Sequence, residues 1–333
     1  MTLGPGRNRL PNGILEQQKS RKSGGFRARG RSSWLAAWAD RVNNFGNVFF
    51  AVVGNLPSDE VHHADHDVTA QGPEPYAARL RRQYSDADNL NARLELHRRF
   101  STNPYGWTRW VFDQISLAPE ARVLELGCGT GLLWKANAGR VGASWHLMLA
   151  DRSFGMLREA RGNLGNLSSW ASLAQADAQA LPFVDSAFDA VIANHMLYHV
   201  EDRDCAISEI RRVLRPEGIF YAATNGAAHL RELDQIIGRF MGVPSVLDQN
   251  AQRFGLETGE AQLRRHFGKV ELRRYKDSLL VTEAQPLLDY AASTMRTVTK
   301  EALEGMRAFI EEQLRDEGGI RISKDAGAFI SRR

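Results

Sequence analysis

The residues with the densest chemistry form the run Val123-Leu124-Glu125-Leu126-Gly127-Cys128-Gly129-Thr130-Gly131, where a β-rich apolar stretch passes into three alternating glycines. Glycines at 127, 129 and 131 carry no Cβ, so the backbone can turn sharply and approach a bound ligand closely. Glu125 stands just before the turn. A phosphate cradle wants positive charge or bare amides there, whereas a carboxylate suits a cationic amino group. The dinucleotide fingerprint needs glycine at the first, third and sixth positions, and the sixth here is Leu132. The lysine and Ser/Thr of a nucleotide P-loop are absent as well.

Further chemistry follows in order along the chain. Trp145 to Asp151 reads as a buried strand ending in an acid, the place from which a parallel sheet offers a carboxylate to ribose hydroxyls. Asp151 precedes Ser153 and an apolar helix, so a helix N-cap is its alternative role. Ala176-Asp177-Ala178 sets another acid on a loop, able to accept a hydrogen bond from an adenine amine or simply to face solvent. Phe188 to Asn194 reads as a fourth strand; Arg212 to Gly218 closes a helix before a strand from Ile219 to Thr224.

These strings, ELGCGTG, LMLADRS, ADAQALPF, FDAVIANHMLYHV and RVLRPEGIFYAA, resemble the successive motifs of class I S-adenosylmethionine-dependent methyltransferases. The branch most similar is the small-molecule one that includes ubiquinone/menaquinone-type methyltransferases. The likeness covers about residues 84 to 331 and is strongest from 121 to 224. It implies an α/β fold: a doubly wound, seven-stranded, mostly parallel sheet, Rossmann-like, with a helical lid insertion after strand 5. It also implies S-adenosylmethionine as cofactor and a small-molecule acceptor. Carried over by position, Glu125 and the Gly127, Cys128, Gly129 and Gly131 backbone hold the methionine part. Asp151 then holds the ribose, Asp177 and Ala178 the adenine, and Arg152 and Met156 flank the ring. Asn194 and His195 lie near the sulfonium, and Tyr84 is similar to a tyrosine that often closes over the methionine end.

Methyl transfer from a sulfonium needs alignment, exclusion of water and, for some acceptors, removal of a proton. His195 and His199 are the candidate bases, because imidazole ordinarily titrates near ~6.5. Their four-residue spacing puts them on one helical face if a helix has begun by 195. Local packing is the competing role for both. The Asn/Asp-Pro-Pro-aromatic tetrad of base-methylating enzymes is missing, since Asn194 is followed by His-Met-Leu.

Composition is that of an ordinary globular protein, with 43% hydrophobic and 25% charged residues among 333. Cys128 and Cys205 have no paired spacing, which argues against a disulfide framework or zinc site and fits a reducing cytoplasm. The net charge of +4 is uneven: residues 1–31 carry eight basic groups against Glu16, residues 32–67 are acidic, and the remainder is nearly neutral. A near-neutral catalytic region disfavours a polynucleotide substrate. The basic leader keeps open an rRNA or tRNA methyltransferase that uses it as an arm, and a noncatalytic cofactor-binding protein is the third class.

Residues 1–67 form a leader of different character, expected to be disordered up to Arg31, with a short amphipathic stretch among Trp34, Leu35, Trp38, Val42 and Phe45. Phe49 to Val53 is far too short to span a bilayer. The leader is similar to a transit peptide but shows no clear processing site. Val68 resembles a natural start for the family, which would make the leader an artefact of the reading frame. His62, His63, Asp65, His66 and Asp67 have metal-ligand types, but a mobile run is the preferred reading, so no metal is expected. Residues 68–120 read as an N-terminal helical cap, with Tyr76 to Phe100 helical, and 121–226 as the cofactor-binding core. Residues 227–267 read as the lid, with Phe240, Met241 and Phe254 either lining an apolar pocket or packing on the sheet. Residues 268–333 complete the sheet with strands at Val270 to Tyr275 and Ala326 to Ser331, and helices at Glu283 to Met295 and Thr299 to Leu314.

Overall fold

Strands built almost wholly of apolar residues must be covered on both faces, and here they form the middle of one sheet. The computed structural model describes Met1 and residues 88–333 except 143, 170, 243–247 and 295–298. The readings of the leader, of Val68 and of Tyr84 therefore lie outside the described residues. The elements fall within one unit spanning 48–333. Its strands are β1 (Arg122–Leu126), β2 (His146–Asp151), β3 (Ala171–Gln175), β4 (Phe188–Asn194), β5 (Leu214–Asn225), β6 (Lys269–Val281) and β7 (Ile320–Arg332). The helices are α1 (Asp88–Phe100), α2 (Trp107–Asp113), α3 (Leu132–Ala136), α4 (Phe154–Leu164), α5 (Arg203–Val213), α6 (Arg231–Met241), α7 (Asp248–Phe254), α8 (Gly259–Leu263), α9 (Ala284–Thr294) and α10 (Lys300–Glu317).

The seven-stranded sheet has the order β3-β2-β1-β4-β5-β7-β6. Every pairing from β3 to β5 is parallel, whereas β7 runs antiparallel to both β5 and β6. Strand order reverses between β1 and β4, which opens a crevice at their C-terminal ends, where ligands bind in open α/β sheets. The expected α/β class, a doubly wound, seven-stranded and mostly parallel sheet, is thus present.

Two hydrophobic clusters hold the molecule. In the first, Val123, Leu147, Leu149, Ile192 and Tyr221 of the sheet meet Phe112 of α2, Trp134 of α3 and Leu157 of α4. In the second, α1, α6, α9 and α10 pack Leu96, Leu233, Ile237, Leu287, Met306 and Ile310 against Leu279, Val281, Ile320 and Ile322 of β6 and β7. Arg93 ties α1 to α9 by donating to the Ser293 carbonyl at 3.0 Å.

The second cluster exists because β6 and β7 are longer than the apolar pattern predicts. β5 stops pairing with β7 at Asn225↔Ala326, yet β6 and β7 stay paired from Lys276↔Asp325 to Val281↔Ile320. This two-stranded extension passes the C-terminal edge of the parallel strands. Its charged residues hid it from a reading based on apolar runs. β5 likewise begins at Leu214, before Pro216, with the β4 register shifting between Phe188 and Ala190. Phe240 and Met241 pack against the second cluster, and Phe254 is fully buried with its ring edge-on to Phe329. All three therefore occupy packing positions.

Candidate active site

β1 is buried from Val123 onward and delivers Glu125 and the glycine loop to the reversal point. Gly127, Gly129 and Gly131 all take positive φ, at 63°, 52° and 74°. Gly127 has no room for a side chain, since a Cβ would stand 2.6 Å from Met196 Cβ just after β4. Above Gly129 a Cβ would meet nothing within 4 Å, so that stretch of backbone lies open to a ligand. Cys128 points inward, and burial pushes its thiol pKa well up.

Glu125 is 2% exposed and accepts the Trp134 indole N–H at 2.5 Å. Burial raises its pKa to about 8, with the charge on Asp151 adding to the rise and the Trp134 bond opposing it. The carboxyl is therefore largely neutral near pH 7 until a cation comes near.

Asp151 ends β2 beside the loop. Its Oδ2 accepts from the Gly129 amide at 2.9 Å and its Oδ1 from the Ser153 amide at 2.8 Å. A carboxylate offers more lone pairs than these two bonds use. Burial raises its pKa, opposed by the backbone N–H groups of Ser153, Gly129 and Arg152. The N-cap of α4 is Ser153, whose hydroxyl accepts from the Met156 amide, so the capping role for Asp151 does not hold. One strand further out, Asp177 accepts from the Gln179 amide at 2.9 Å, and its other oxygen is 3.9 Å from Arg152 Nε. Met156 and Ala178 are buried around them. The side chains of Asp151, Arg152, Met156, Asp177 and Ala178 are thus gathered at the ends of β2 and β3.

Across the crevice, β4 ends at Asn194, and His195 adopts a left-handed conformation with φ 56°. Its amide donates to the Ala223 carbonyl at 3.0 Å, holding the turn against β5. Only a 3₁₀ turn, Leu197–His199, follows. The shared helical face expected for His195 and His199 is therefore absent, because the chain bends at 195 instead of starting a helix. The His199 ring stacks edge-on with Tyr198 at 4.4 Å, while His195 lies 5.0 Å from the Trp107 ring. Burial, helped by the Lys324 charge, lowers the His195 pKa to about 4. The premise of an imidazole near its ordinary value is thereby corrected: His195 is held neutral.

In the sequence Trp107 and Trp110 read only as part of an aromatic group before the first strand, mostly core, and nothing there marks them, His97, His229, Tyr275 or Lys324 as neighbours of His195. His97 and His229 have ring centroids 5.7 Å apart, Trp107 and Trp110 stack at 5.3 Å, and Tyr275 meets both tryptophans edge-on or tilted. Lys324 Nζ lies 5.7 Å from the Tyr275 ring centre and is ion-paired with Asp277. No local motif marks these residues, since they come from α1, α2, β6, β7 and the turn after β5. A surface groove of about 450 Å³ lined by Asp185, Ser186, Arg211 and Arg333 sits at the opposite end of the strands, away from the glycine loop.

Residues 124–222 match the family profile described as a methyltransferase domain. Over 114 residues the chain is 39% identical to the ubiquinone/menaquinone biosynthesis C-methyltransferase UbiE of Hahella chejuensis, covering 34% of this chain and 46% of that protein. The same enzyme of Pasteurella multocida is also 39% identical over 114 residues, covering 34% and 42%. The chain therefore spans less than half the length of these curated relatives. A solved structure from Anabaena variabilis, assigned as a methyltransferase of an antibiotic biosynthesis pathway, superposes with a TM-score of 0.50 at 16% identity, covering 68% of this chain and 96% of that one. Strand order and loop geometry agree with that profile, and residues 124–222 form a methyltransferase domain.

Proposed function

We propose that this protein transfers a methyl group from S-adenosylmethionine to a small-molecule acceptor. The observation that carries the reading is the reversal point itself. There the open backbone at Gly129 is fastened to Asp151, and the adjacent strand β4 ends at Asn194, followed by His195. Asp151 keeps lone pairs for the two ribose hydroxyls. Asp177 keeps one oxygen for an adenine amine, with Arg152 and Met156 beside the ring. Glu125, uncharged when alone, ionises when the methionine ammonium approaches and so holds it by charge. The bound cofactor supplies an activated methyl group; the chain's own residues orient the two reactants and keep water out. The two curated relatives act in quinone biosynthesis, and a small acceptor is the class this near-neutral domain also fits. Among the described residues no helix is long and apolar enough to cross a membrane. Tyr84 is retained as a candidate closing residue on its sequence position alone.

Calorimetric titration of the full chain with S-adenosylmethionine and, separately, NAD tests the reading. Binding of S-adenosylmethionine alone is expected. A folded sample that binds neither, or NAD alone, would sink it.

A further inference from the structure

Six buried polar atoms gather on one side of the crevice with no hydrogen-bond partner among the described residues: the Nδ1 atoms of His97, His195 and His229, Trp107 Nε1, Tyr275 Oη and Asn194 Oδ1. Leaving such atoms unsatisfied costs about 1 to 3 kcal/mol each, so a concentration of them marks a place that receives a polar molecule. His195 sits one residue before Met196, which covers Gly127, so this place adjoins the glycine loop.

The donors and acceptors here decide what kind of molecule fits. Trp107 Nε1–H can only donate, Asn194 Oδ1 can only accept, and each neutral imidazole has one nitrogen of each kind. Lys324 carries three N–H donors and spends one on Asp277; their side chains are 7% and 0% exposed. Asp277 is saturated, because Ser101, the Asn103 amide, the Ser278 amide and Lys324 all donate to it. No carboxylate in the cluster is left over for a cationic guest. The imidazoles are neutral: burial, then neighbouring charges that include Lys324, lowers His97 to about 3 and His195 to about 4 and pushes His229 well down. Among the described residues no group of three or more His, Cys, Asp or Glu side chains is placed to hold a metal ion, so the histidines are not a metal cage. Trp107 and Trp110 stack on each other and against Tyr275 beside these atoms.

We infer that the acceptor is a small molecule bearing an anionic oxygen, carboxylate or phenolate, received by Lys324 and Trp107 and surrounded by His97, His195 and His229. The inference rests on the methyltransferase reading for the word acceptor, but the anion site stands on its own contacts. Neutral imidazoles suit it well. They add hydrogen bonds to the guest without a fixed positive charge that would repel the neighbouring sulfonium.

The test is calorimetry on the full chain saturated with S-adenosylhomocysteine, using benzoate, para-nitrophenolate, benzyl alcohol and benzamidinium as probes of matched shape and different charge. Benzoate or para-nitrophenolate is expected to bind at least about tenfold more tightly than the alcohol or the cation, and their order tells carboxylate from phenolate. Trp107→Phe keeps the aromatic body and is expected to weaken the anion about tenfold. Lys324→Met combined with Asp277→Leu removes the cation without stranding a carboxylate, and is expected to erase the preference. Equal binding of all four probes, preference for benzamidinium, or no probe binding beside bound S-adenosylhomocysteine would overturn the inference and leave methyl transfer standing. An anion bound by protein that refuses S-adenosylhomocysteine would support the site and sink the methyltransferase reading.

Discussion

Gly127 lies under Met196 so closely that a single methyl group between them would overlap: its Cβ would stand 2.6 Å from Met196 Cβ and 2.9 Å from Cγ. Through this contact the end of β1 positions the end of β4, and with it His195. Gly127→Ala adds that overlap to the ~1–2 kcal/mol cost of a left-handed non-glycine residue. Gly129→Ala carries the backbone cost alone, since its Cβ direction is open. Thermal melts are expected to rank Gly127→Ala clearly below Gly129→Ala, while S-adenosylhomocysteine titrations show weakened binding in both. Equal melting temperatures would mean that Met196 yields and the contact constrains nothing.

Asp151 links the glycine loop to the turn after β2 through the Gly129 and Ser153 amides. Replacing it with Ala removes the proposed ribose bonds and leaves both amides unpaired. Cofactor binding is expected to weaken by about 1 to 3 kcal/mol. Unchanged affinity in a folded variant would take Asp151 out of the site.

Glu125 has a folded pKa of about 8 against an ordinary 4.5, raised by burial. The folded state therefore holds a proton that the unfolded chain gives up first. Its contribution is fully present below 4.5 and is lost as pH rises from 4.5 through about 8, by at most about 1.4 kcal/mol per pH unit. Glu125→Gln keeps a neutral side chain at all pH values, so denaturant titrations from pH 5 to 8 should lose that slope. A variant with the same slope as the parent would assign the pH dependence elsewhere.

Lys324 and Asp277 face each other across β6 and β7 beyond the last residue of β5. Burial alone would raise the Asp277 pKa, but hydrogen bonds from Lys324 and Ser101 outweigh it and hold the carboxylate below its usual range. Removing either partner strands a buried charge, at a cost of about 3 to 5 kcal/mol. Lys324→Met alone should lower the unfolding free energy by that order, and adding Asp277→Leu should recover only part of it, because the stranded carboxylate goes but Ser101 and the Asn103 and Ser278 amides lose their acceptor. A single variant as stable as the parent would show that water reaches the pair.

His195 is depressed to about 4 by burial and Lys324, against an ordinary 6.5. The unfolded chain is protonated first as pH falls, so stability present above 6.5 is lost on the way down to 4. His195→Gln should make this acid limb shallower in chemical unfolding by the share of one histidine, leaving those of His97 and His229. It should also cut turnover while leaving S-adenosylmethionine affinity nearly intact. Normal turnover in the variant would confine His195 to a structural role.

What the sequence determined by itself is local. The strand-to-glycine transition at 123–131, the acids closing strands at Asp151 and just beyond Gln175, and the apolar fourth strand each lie within a few residues, where composition dictates conformation directly. Through the resemblance they carry, they sufficed for a doubly wound, mostly parallel sheet of seven strands; the strand order was read only from the structure. Ring packing and charge at the far wall were decided only in three dimensions. Nothing about His97, Trp107, His229, Tyr275 or Lys324 in the linear chain says that they meet. Their encounter depends on β6 and β7 overshooting β5, and on α1, α6, α9 and α10 stacking against that extension. The bend at His195 was likewise invisible, because four-residue spacing cannot distinguish a helix from a left-handed turn followed by a 3₁₀ segment. Burial then set the ionisation of Glu125 and His195, since the energy of a charge depends on what surrounds it and not on its neighbours in sequence.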